Sequence, residues 1–567
     1  IAARKVAKLK SSADLITKFQ SKAMQIFNSD LLIVQKIHAF KTFLIPSLDF
    51  ILQNGQMKVK HIEKVDDIIG SLVNKMIGGA LPNAIKHASW KDGGLSIPSI
   101  KEKSETGKIK SFLRMLLNKD DLIKKLACHS LVGERIMRNI DVISTPENQI
   151  FLDWDTSSFN NESPGTNSII NRARKSLVAL DLKLSFNYNN ELTEDIRDPP
   201  INFIDWMHST EMPSFELTDT CLDKSIILKS TKNLSLFLTE RRRDRWKSQL
   251  SQCSFHLHSM LSFIDNPLSN DFAVRQQYPV SDRFFKFAFA SRANMLPTPE
   301  FIECMTNQHH TPCPMCLQEN KSRNQSLAHI LNGCRSKFNS YTIRHNDVQK
   351  VIVDNIKSLN GIQEIHTDKS LHLNDMPDDL KLLRPDIVAW FNNRSRCVLV
   401  EISIPYGCQR WGDDSLSTVY TQKKDKYARL VNHIRNKGID TELYVIIASS
   451  LGAVFSKSIN ELNKLFHPFV RSKSIIKRIS RSALIGSMNI WFSYHKRKQS
   501  GNLLSHPVDQ IQPSSSIEDG EVNDGSYCTH SSSSEFHSDV AEVDPLTESS
   551  IQNRQLSPHP LETSDSL

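Results

Sequence analysis

Leu383-Arg-Pro-Asp386-Ile-Val-Ala-Trp-Phe391 and Cys397-Val-Leu-Val-Glu401-Ile-Ser-Ile-Pro405 are two β-rich runs flanking the polar turn Asn392-Asn-Arg-Ser395. That arrangement predicts a hairpin. With the turn centred between Asn393 and Arg394, Asp386 falls directly opposite Glu401, with Cβ atoms about 5 Å apart on one face. Val398, Val400, Ile402 and Ile404 take the other face and form core. Two carboxylates so close repel each other, and a divalent cation relieves the repulsion. Oxygen ligands around a partly hydrated ion describe Mg²⁺, which activates water and stabilises charge on a phosphodiester being cut. An unrelated acidic pair on an exposed sheet face would share this spacing.

The next segment extends the pattern. Lys423, Lys426, Tyr427 and Leu430 fall on one face of a helical stretch. Leu443-Tyr-Val-Ile-Ile-Ala448 follows as a continuous apolar strand, buried on both sides. Strand, helix, strand is a βαβ unit whose crossover lays the helix back over the sheet. A lysine near the carboxylates holds the attacking water or neutralises developing charge. Lys423 is the first choice and Lys426 the second; a phosphate contact or a solvated lysine fits either equally.

Upstream, Cys313-Pro-Met-Cys316, His329 and Cys334 give C-x2-C-x12-H-x4-C. Two cysteines two apart grip one ion from a tight turn, and a later His and Cys close the tetrahedron. Thiolate and imidazole ligands suit Zn²⁺. A four-ligand site has no open position, so its expected role is structural, or it presents a nucleic-acid-binding surface. Cys304, His309 and His310 are competing ligands of less regular spacing.

Ten cysteines at uneven spacings, with no secretory pattern, argue against a disulfide framework. No run of eighteen apolar residues marks a membrane span, so no membrane is expected as a partner. A chain of 567 residues exceeds one compact core, and it opens at Ile1 inside a helical pattern, as a fragment of a longer protein would. The net charge of +9 hides an asymmetry. From Gly501 onward twelve acidic residues face one basic residue, Arg554, so that tail carries −11 and the preceding 500 residues +20. A body so basic attracts polyanions. The tail, rich in Ser, Pro, Asp and Glu, cannot bury enough surface to offset its chain entropy and is expected to be disordered.

Between the start and the cysteines the pattern is helical. Ile33, Ile37, Phe40, Leu44 and Leu48 form one face, kinked at Pro46, before a turn at Asn54-Gly55. Ile62, Val65, Ile69, Leu72, Val73 and Met76 form a second, stopped by Gly78-Gly79 and Pro82. Trp90 to Leu95 reads as a turn. Residues 116–300 read as mixed and mostly helical, broken by the polar loop Ser157 to Asn167 and by Asp198-Pro-Pro200. The run Arg241, Arg242, Arg243, Asp244, Arg245, Trp246, Lys247 suits a polyanion-facing helix or a solvated face. Phe284, Phe285, Phe287 and Phe289 suit core better than a base-stacking platform. Arg471, Lys473, Lys477, Arg478, Arg481 and Lys496-Arg-Lys498 would track DNA, act as a nuclear address or form a solvated face.

With these residues assembled, the chain resembles the C-terminal half of non-LTR retrotransposon proteins that carry a restriction-like endonuclease, the class that includes elements inserting into ribosomal RNA genes. The resemblance spans residues 283–452: the zinc knuckle, Arg344-His345, Arg384-Pro-Asp386, Glu401-Ile-Ser-Ile-Pro405, then Lys423-x-x-Lys426-Tyr427. It implies a multidomain α plus α/β chain. A helical reverse-transcriptase thumb remnant occupies 1–115, a mostly helical linker 116–300, a CCHC zinc knuckle 301–345, a PD-(D/E)xK-like endonuclease 346–500 and a disordered acidic tail 501–567. Phe40 to Leu48 and Gly93 to Ser99 resemble the thumb. The resemblance makes Asp386 and Glu401 Mg²⁺ ligands. Ser403 stands where the commonest pattern has lysine, and in the retrotransposon branch the following helix supplies it, which fits Lys423. Arg241, Arg242, Arg243, Arg245, Arg344, His345 and Tyr427 are expected at nucleic acid. Target DNA, element RNA and the upstream polymerase domains of the same polyprotein are the implied partners, and the nucleus the implied location. No polymerase Asp-Asp centre is recognisable in this stretch.

Overall fold

The computed structural model describes residues 12–53, 57–120, 122–123, 126–127, 130, 168–187, 214–228, 231–251, 255–273, 280–306, 312–318, 321–371, 373–407, 409–410, 413–467 and 470–500. All of them belong to one compact unit, Ile1–Leu503. The expectations for Asn54-Gly55, Ser157 to Asn167, Asp198-Pro-Pro200, His309, His310, Trp411-Gly412 and the 501–567 tail lie outside these residues, as do the side chains of Cys304, Arg471 and Lys496-Arg-Lys498.

The N-terminal region is helical: α1 (Ser12–Phe27), α2 (Ile33–Ala39), α3 (Asp49–Gln53), α4 (Val59–Ile77), α5 (Asn83–His87) and α6 (Ile100–Leu116). Pro46 removes a backbone donor, and the chain from α2 to α3 passes through a π turn at Phe40–Leu44 and a 3-10 turn at Ile45–Leu48. The expected stripe of α4 is buried from Ile62 to Met76. Asp66 accepts from the Ile100 and Lys101 amides at 2.7 and 3.1 Å, capping α6 from the side. The Trp90 to Leu95 turn folds tightly onto α5: a Cβ at Gly94 would stand 2.3 Å from the Ala88 carbonyl oxygen.

Residues 168–251, within the stretch read as mixed and mostly helical, also carry a sheet that the sequence reading did not place. Helices α7 (Ile169–Ala179) and α8 (Thr231–Ser251) flank an antiparallel sheet in the order β1 (Leu182–Asn187), β2 (Ser214–Asp219), β3 (Lys224–Leu228). Leu182, Leu184, Phe215, Leu217 and Leu228 turn inward onto Leu177 and Leu238 to make a separate core. Short strands with one buried face leave a weak periodic signal, and β1 and β2 are too far apart in sequence to show a hairpin turn.

Helices α9 (Asp282–Arg292), α10 (Pro299–Thr306) and the single turn α11 (Pro314–Leu317) lead to α12 (Phe338–Ile356). Phe284, Phe285, Phe287 and Phe289 of α9 are all core. A four-stranded sheet follows in the order β4 (Ile362–Thr367), β5 (Ile387–Phe391), β6 (Arg396–Ser403), β9 (Asp440–Ile447), with the short helix α13 (Asp378–Lys381) before β5. The register is the one read from sequence: Ile387 opposes Val400, Ala389 opposes Val398 and Phe391 opposes Arg396. Asn392, Asn393 and Arg394 all take positive φ, from 50° to 64°, and two asparagines tolerate that best among non-glycine residues. After the two-residue strands β7 (Gln409–Arg410) and β8 (Asp413–Asp414), α14 (Ser415–Asn436) carries the chain to β9, parallel to β6. Helices α15 (Ser456–Leu465) and α16 (Val470–Ser500) complete the order.

The sheet is covered on both faces. Val398, Val400, Ile402 and Ile404 pack with α12 and Ile475, Ile476 and Ile479 of α16. Val388, Trp390, Cys397 and Leu399 pack on the other face with Tyr427, Leu430, Val431 and Ile434 of α14. Helix α16 then passes Leu484, Trp491 and Tyr494 into the core shared by the N-terminal helices, α9 and the cysteines. Gly486 lets α12 approach, since a Cβ there would stand 2.5 Å from the Arg344 side chain. Arg292 is buried where these parts meet. It donates to the Leu451 and Ser269 carbonyls and Asn270 Oδ1 at 2.9–3.2 Å, and lies 3.7 Å from the Phe263 ring centroid. Burial pulls its pKa down to about 9. Among the described residues no helix is long and apolar enough to cross a membrane.

Candidate functional site: a Cys/His cluster and an acidic sheet edge

Cys313, Cys316, His329 and Cys334 converge, all buried, with their ligand atoms within 4.8 Å of one another. Pro314 starts the single turn of α11, and the Cys316 and Leu317 amides both donate to the Cys313 carbonyl at 3.0 Å, so the two thiols share one side. His329 Nε2 stands 3.4 Å from Cys316 Sγ, and Cys313 Sγ 3.9 Å from Cys334 Sγ. A brace of tyrosines encloses the cluster. The Cys334 amide donates to Tyr341 Oη, which donates on to the Ile330 carbonyl. Tyr494 Oη donates to Gln325 Oε1 at 2.6 Å and lies 3.9 Å from Cys313 Sγ. Hydrogen bonding with Cys334 and with His329 pulls the Cys313 thiol well below the usual thiol range against the effect of burial. Three sulfurs and an imidazole nitrogen at this separation can hold a metal such as zinc.

The second cluster lies at the end of the β5–β6 hairpin. Glu401, on the α14 side of β6, is only 3% exposed. Its Oε1 takes the Lys423 ammonium at 2.7 Å, while its buried Oε2 has no hydrogen-bond partner among the described residues. Asp386, one residue before β5, accepts the Ile402 amide through Oδ2 at 2.5 Å. Burial, then the charge of Asp386, raise the Glu401 pKa; Lys423 pulls it back. Tyr427 is fully buried beneath, its hydroxyl donating to the Arg384 carbonyl at 2.9 Å and so fixing the loop that carries Asp386.

Helix α12 closes the acidic edge. His345 Nε2 is 3.4 Å from Asp386 Oδ2, and Gln349 donates to the Asp386 carbonyl at 2.7 Å and to Asp368 Oδ2 at 3.2 Å. Burial alone would lower the His345 pKa, but the hydrogen bond and charge of Asp386 outweigh it and the balance lies at about 9. Sequence reasoning missed Gln349 and Asp368. Gln349 is one helical turn beyond His345 on the same face, a spacing that could have found it. Asp368 follows β4, a strand with no clear sequence signal.

The structure does not bring all expected residues to these clusters. Lys426 is exposed and lies over the Tyr427 ring at 5.2 Å, and the ion pair with Glu401 is made by Lys423. Several residues expected at nucleic acid are enclosed by protein, which corrects that reading. Arg241 is buried, paired with Asp219 and donating to the Leu180 carbonyl. Arg344 is buried against α16, with Nη1 2.9 Å from Ser487 Oγ and its pKa lowered by burial to about 10. Tyr427 supports the acidic edge from below. Arg243 grips Asp92 through two bonds of 2.8 Å and also reaches Asp265. Arg242 and Arg245 remain partly exposed on α8. No family model matches the chain, and no curated protein matches it either.

Proposed function

We propose that this chain is the C-terminal part of a non-LTR retrotransposon protein and that its four-stranded sheet is a restriction-like, PD-(D/E)xK-type endonuclease that nicks target DNA. The observation that carries this reading is the convergence of Asp386, just before β5, Glu401 of β6 and Lys423 of α14 at one edge. The buried Glu401 Oε2, with no hydrogen-bond partner among the described residues and a second carboxylate beside it, suits a hard cation such as Mg²⁺. Asp386 and Glu401 would hold it, and when bound it supplies a more acidic water and stabilises charge on the scissile phosphate. Lys423 orients the attacking water and offsets the growing phosphoryl charge. Water adds its oxygen to phosphorus, the P–O3′ bond breaks, and the released 3′-hydroxyl primes reverse transcription of element RNA by the polymerase part of the same polyprotein. The Cys/His cluster holds structural zinc, and a nuclear location follows from the target.

The test is supercoiled-plasmid nicking with Mg²⁺ and with EDTA, comparing the chain with Asp386→Ala. Mg²⁺-dependent nicking lost in the variant is the expected result; nicking retained by Asp386→Ala would sink the assignment. A second reading, a catalytically inactive zinc-stabilised nucleic-acid-binding module, draws on the Lys423–Glu401 ion pair, which would serve equally as a structural contact. It predicts no Mg²⁺ binding at the acid pair.

A further inference from the structure

A cavity of about 720 Å³ opens in the N-terminal helical region, between α4, the turn after it, α5 and Trp246 of α8. Its floor is Lys86. This side chain is buried, 8% exposed, and desolvation lowers its pKa. Among the described residues no carboxylate pairs with it, and its Nζ reaches the Asn83 side-chain oxygen only at 3.4 Å. An ammonium taken out of water without a counter-ion is costly to fold around, and a bound anion would remove that cost.

The wall beside Lys86 is aromatic. The His87 and Trp246 rings lie 4.8 Å apart and tilted by 39°. His87 is tied through Nδ1 to the Ile97 carbonyl at 2.7 Å, and burial lowers its pKa, so the ring stays neutral. The Trp246 indole Nε1 is buried without an acceptor among the described residues. Of the two acids on the lining, Asp66 is engaged by Ser99 and the first amides of α6. Asp67 lies exposed on the lining, as do Lys75 and Lys101. The interior therefore offers a cation with no carboxylate partner among the described residues, next to two mutually tilted aromatic rings.

We propose that this cavity binds a nucleotide unit, its phosphate ion-paired with Lys86 and its base laid against the His87–Trp246 wall. Lysine meets phosphate as a point charge, and an aromatic wall accepts any base through its π-face. The basic body, +20 outside the tail, favours a phosphate over a carboxylate ligand. The unit is either a free nucleotide or one residue of a single strand. The inference is independent of the nuclease assignment.

The test is calorimetric titration of the intact chain with AMP, with inorganic phosphate and with a six-residue oligodeoxynucleotide. Each is repeated on Lys86→Met, Trp246→Leu and the surface control Lys58→Met. Lys86→Met should fold with an unchanged or higher melting temperature, because it removes the desolvated charge at similar volume. It should weaken nucleotide binding at least tenfold, while Lys58→Met does not. Trp246→Leu should weaken AMP and oligonucleotide binding and leave inorganic phosphate unchanged, a split that mere destabilisation would not give. AMP binding lost in Lys86→Met identifies a free-nucleotide site; binding of the oligonucleotide alone, lost in the same variant, identifies a strand site. Ligand binding unaffected by Lys86→Met, or no binding of either nucleotide ligand at millimolar concentration, overturns the proposal.

Discussion

The Cys/His cluster and the acidic sheet edge are both candidate metal centres, and they differ in enclosure. All four residues of the first are buried and braced by Tyr341, Tyr494 and Gln325 inside a core that joins the N-terminal helices to α16. At the second, one carboxylate is buried with a free oxygen and the other has a side chain 15% exposed at the mouth. A closed soft-ligand set spends its binding energy on folding, whereas an open hard-ligand set keeps room for water and substrate. The two sites should therefore respond oppositely to loss of a ligand: one in stability, the other in activity.

The largest effect is expected at the closed site. Cys316→Ser should abolish zinc binding and with it cooperative folding, since zinc in small Cys/His folds contributes on the order of 10 kcal/mol. Zinc content by atomic absorption and a thermal melt with and without chelator check this. A variant that loses zinc and melts at the wild-type temperature would break the comparison.

At the open site the loss should be of activity alone. Glu401→Gln should reduce Mg²⁺-dependent nicking by roughly a thousandfold and leave the metal-free protein at least as stable at pH 7. The Glu401 pKa is raised above its ordinary value of 4.5, so between that value and its folded pKa the folded state binds more protons than the unfolded one. This group's contribution to stability therefore falls as pH rises through that window and is recovered on acidification. Melts across pH 4.5 to 8 should show this slope in wild type and lose it in Glu401→Gln. Mg²⁺ binding should run the other way, weakening as pH falls.

The two lysines sharpen the same contrast. Lys423→Ala, which removes the lysine paired with Glu401, should lower nicking roughly a hundredfold, and Lys426→Ala, at an exposed position, by only a few-fold through a lost phosphate contact. Equal losses would mean that the geometry at Glu401 is not the working one.

How far each site was legible follows from where its information sits. The cysteines are local in sequence, so spacing alone located the cluster. The acid pair was legible because a four-residue turn between two apolar runs fixes register, and register fixes which side chains meet. Helix α14 was expected back over the sheet because a βαβ crossover lays it there, and Tyr427 and Leu430 make that contact. Charge density was the poorest guide. It cannot say which way a helix turns, so Arg241 read as polyanion-facing although Asp219 waits for it inside; Arg344, placed at nucleic acid by the resemblance, is likewise held inside by Ser487. The β1–β2–β3 sheet and β4 were hidden because polar residues interrupt their short strands and no tight turn joins β1 to β2 or β4 to β5.

The smallest expected effect compares the supports of the two sites. Gln349 holds the Asp386 backbone and touches no proposed ligand atom, and Tyr494 holds Gln325 beside Cys313. Groups that orient ligands typically alter metal affinity by about 10–100-fold. At the open edge the Gln349 side chain shares the Asp386 carbonyl with the Asp368 backbone amide, so Gln349→Ala should raise the Mg²⁺ concentration for half-maximal nicking about tenfold and leave the maximal rate nearly unchanged. At the closed cluster Tyr494→Phe removes one of several braces and keeps the ring in the core. Zinc should remain bound after dialysis, and the change should be confined to faster release to a competing chelator. If Tyr494→Phe emptied the cluster while Gln349→Ala left the Mg²⁺ requirement untouched, the closed site would be the fragile one, and enclosure would not be what separates the two.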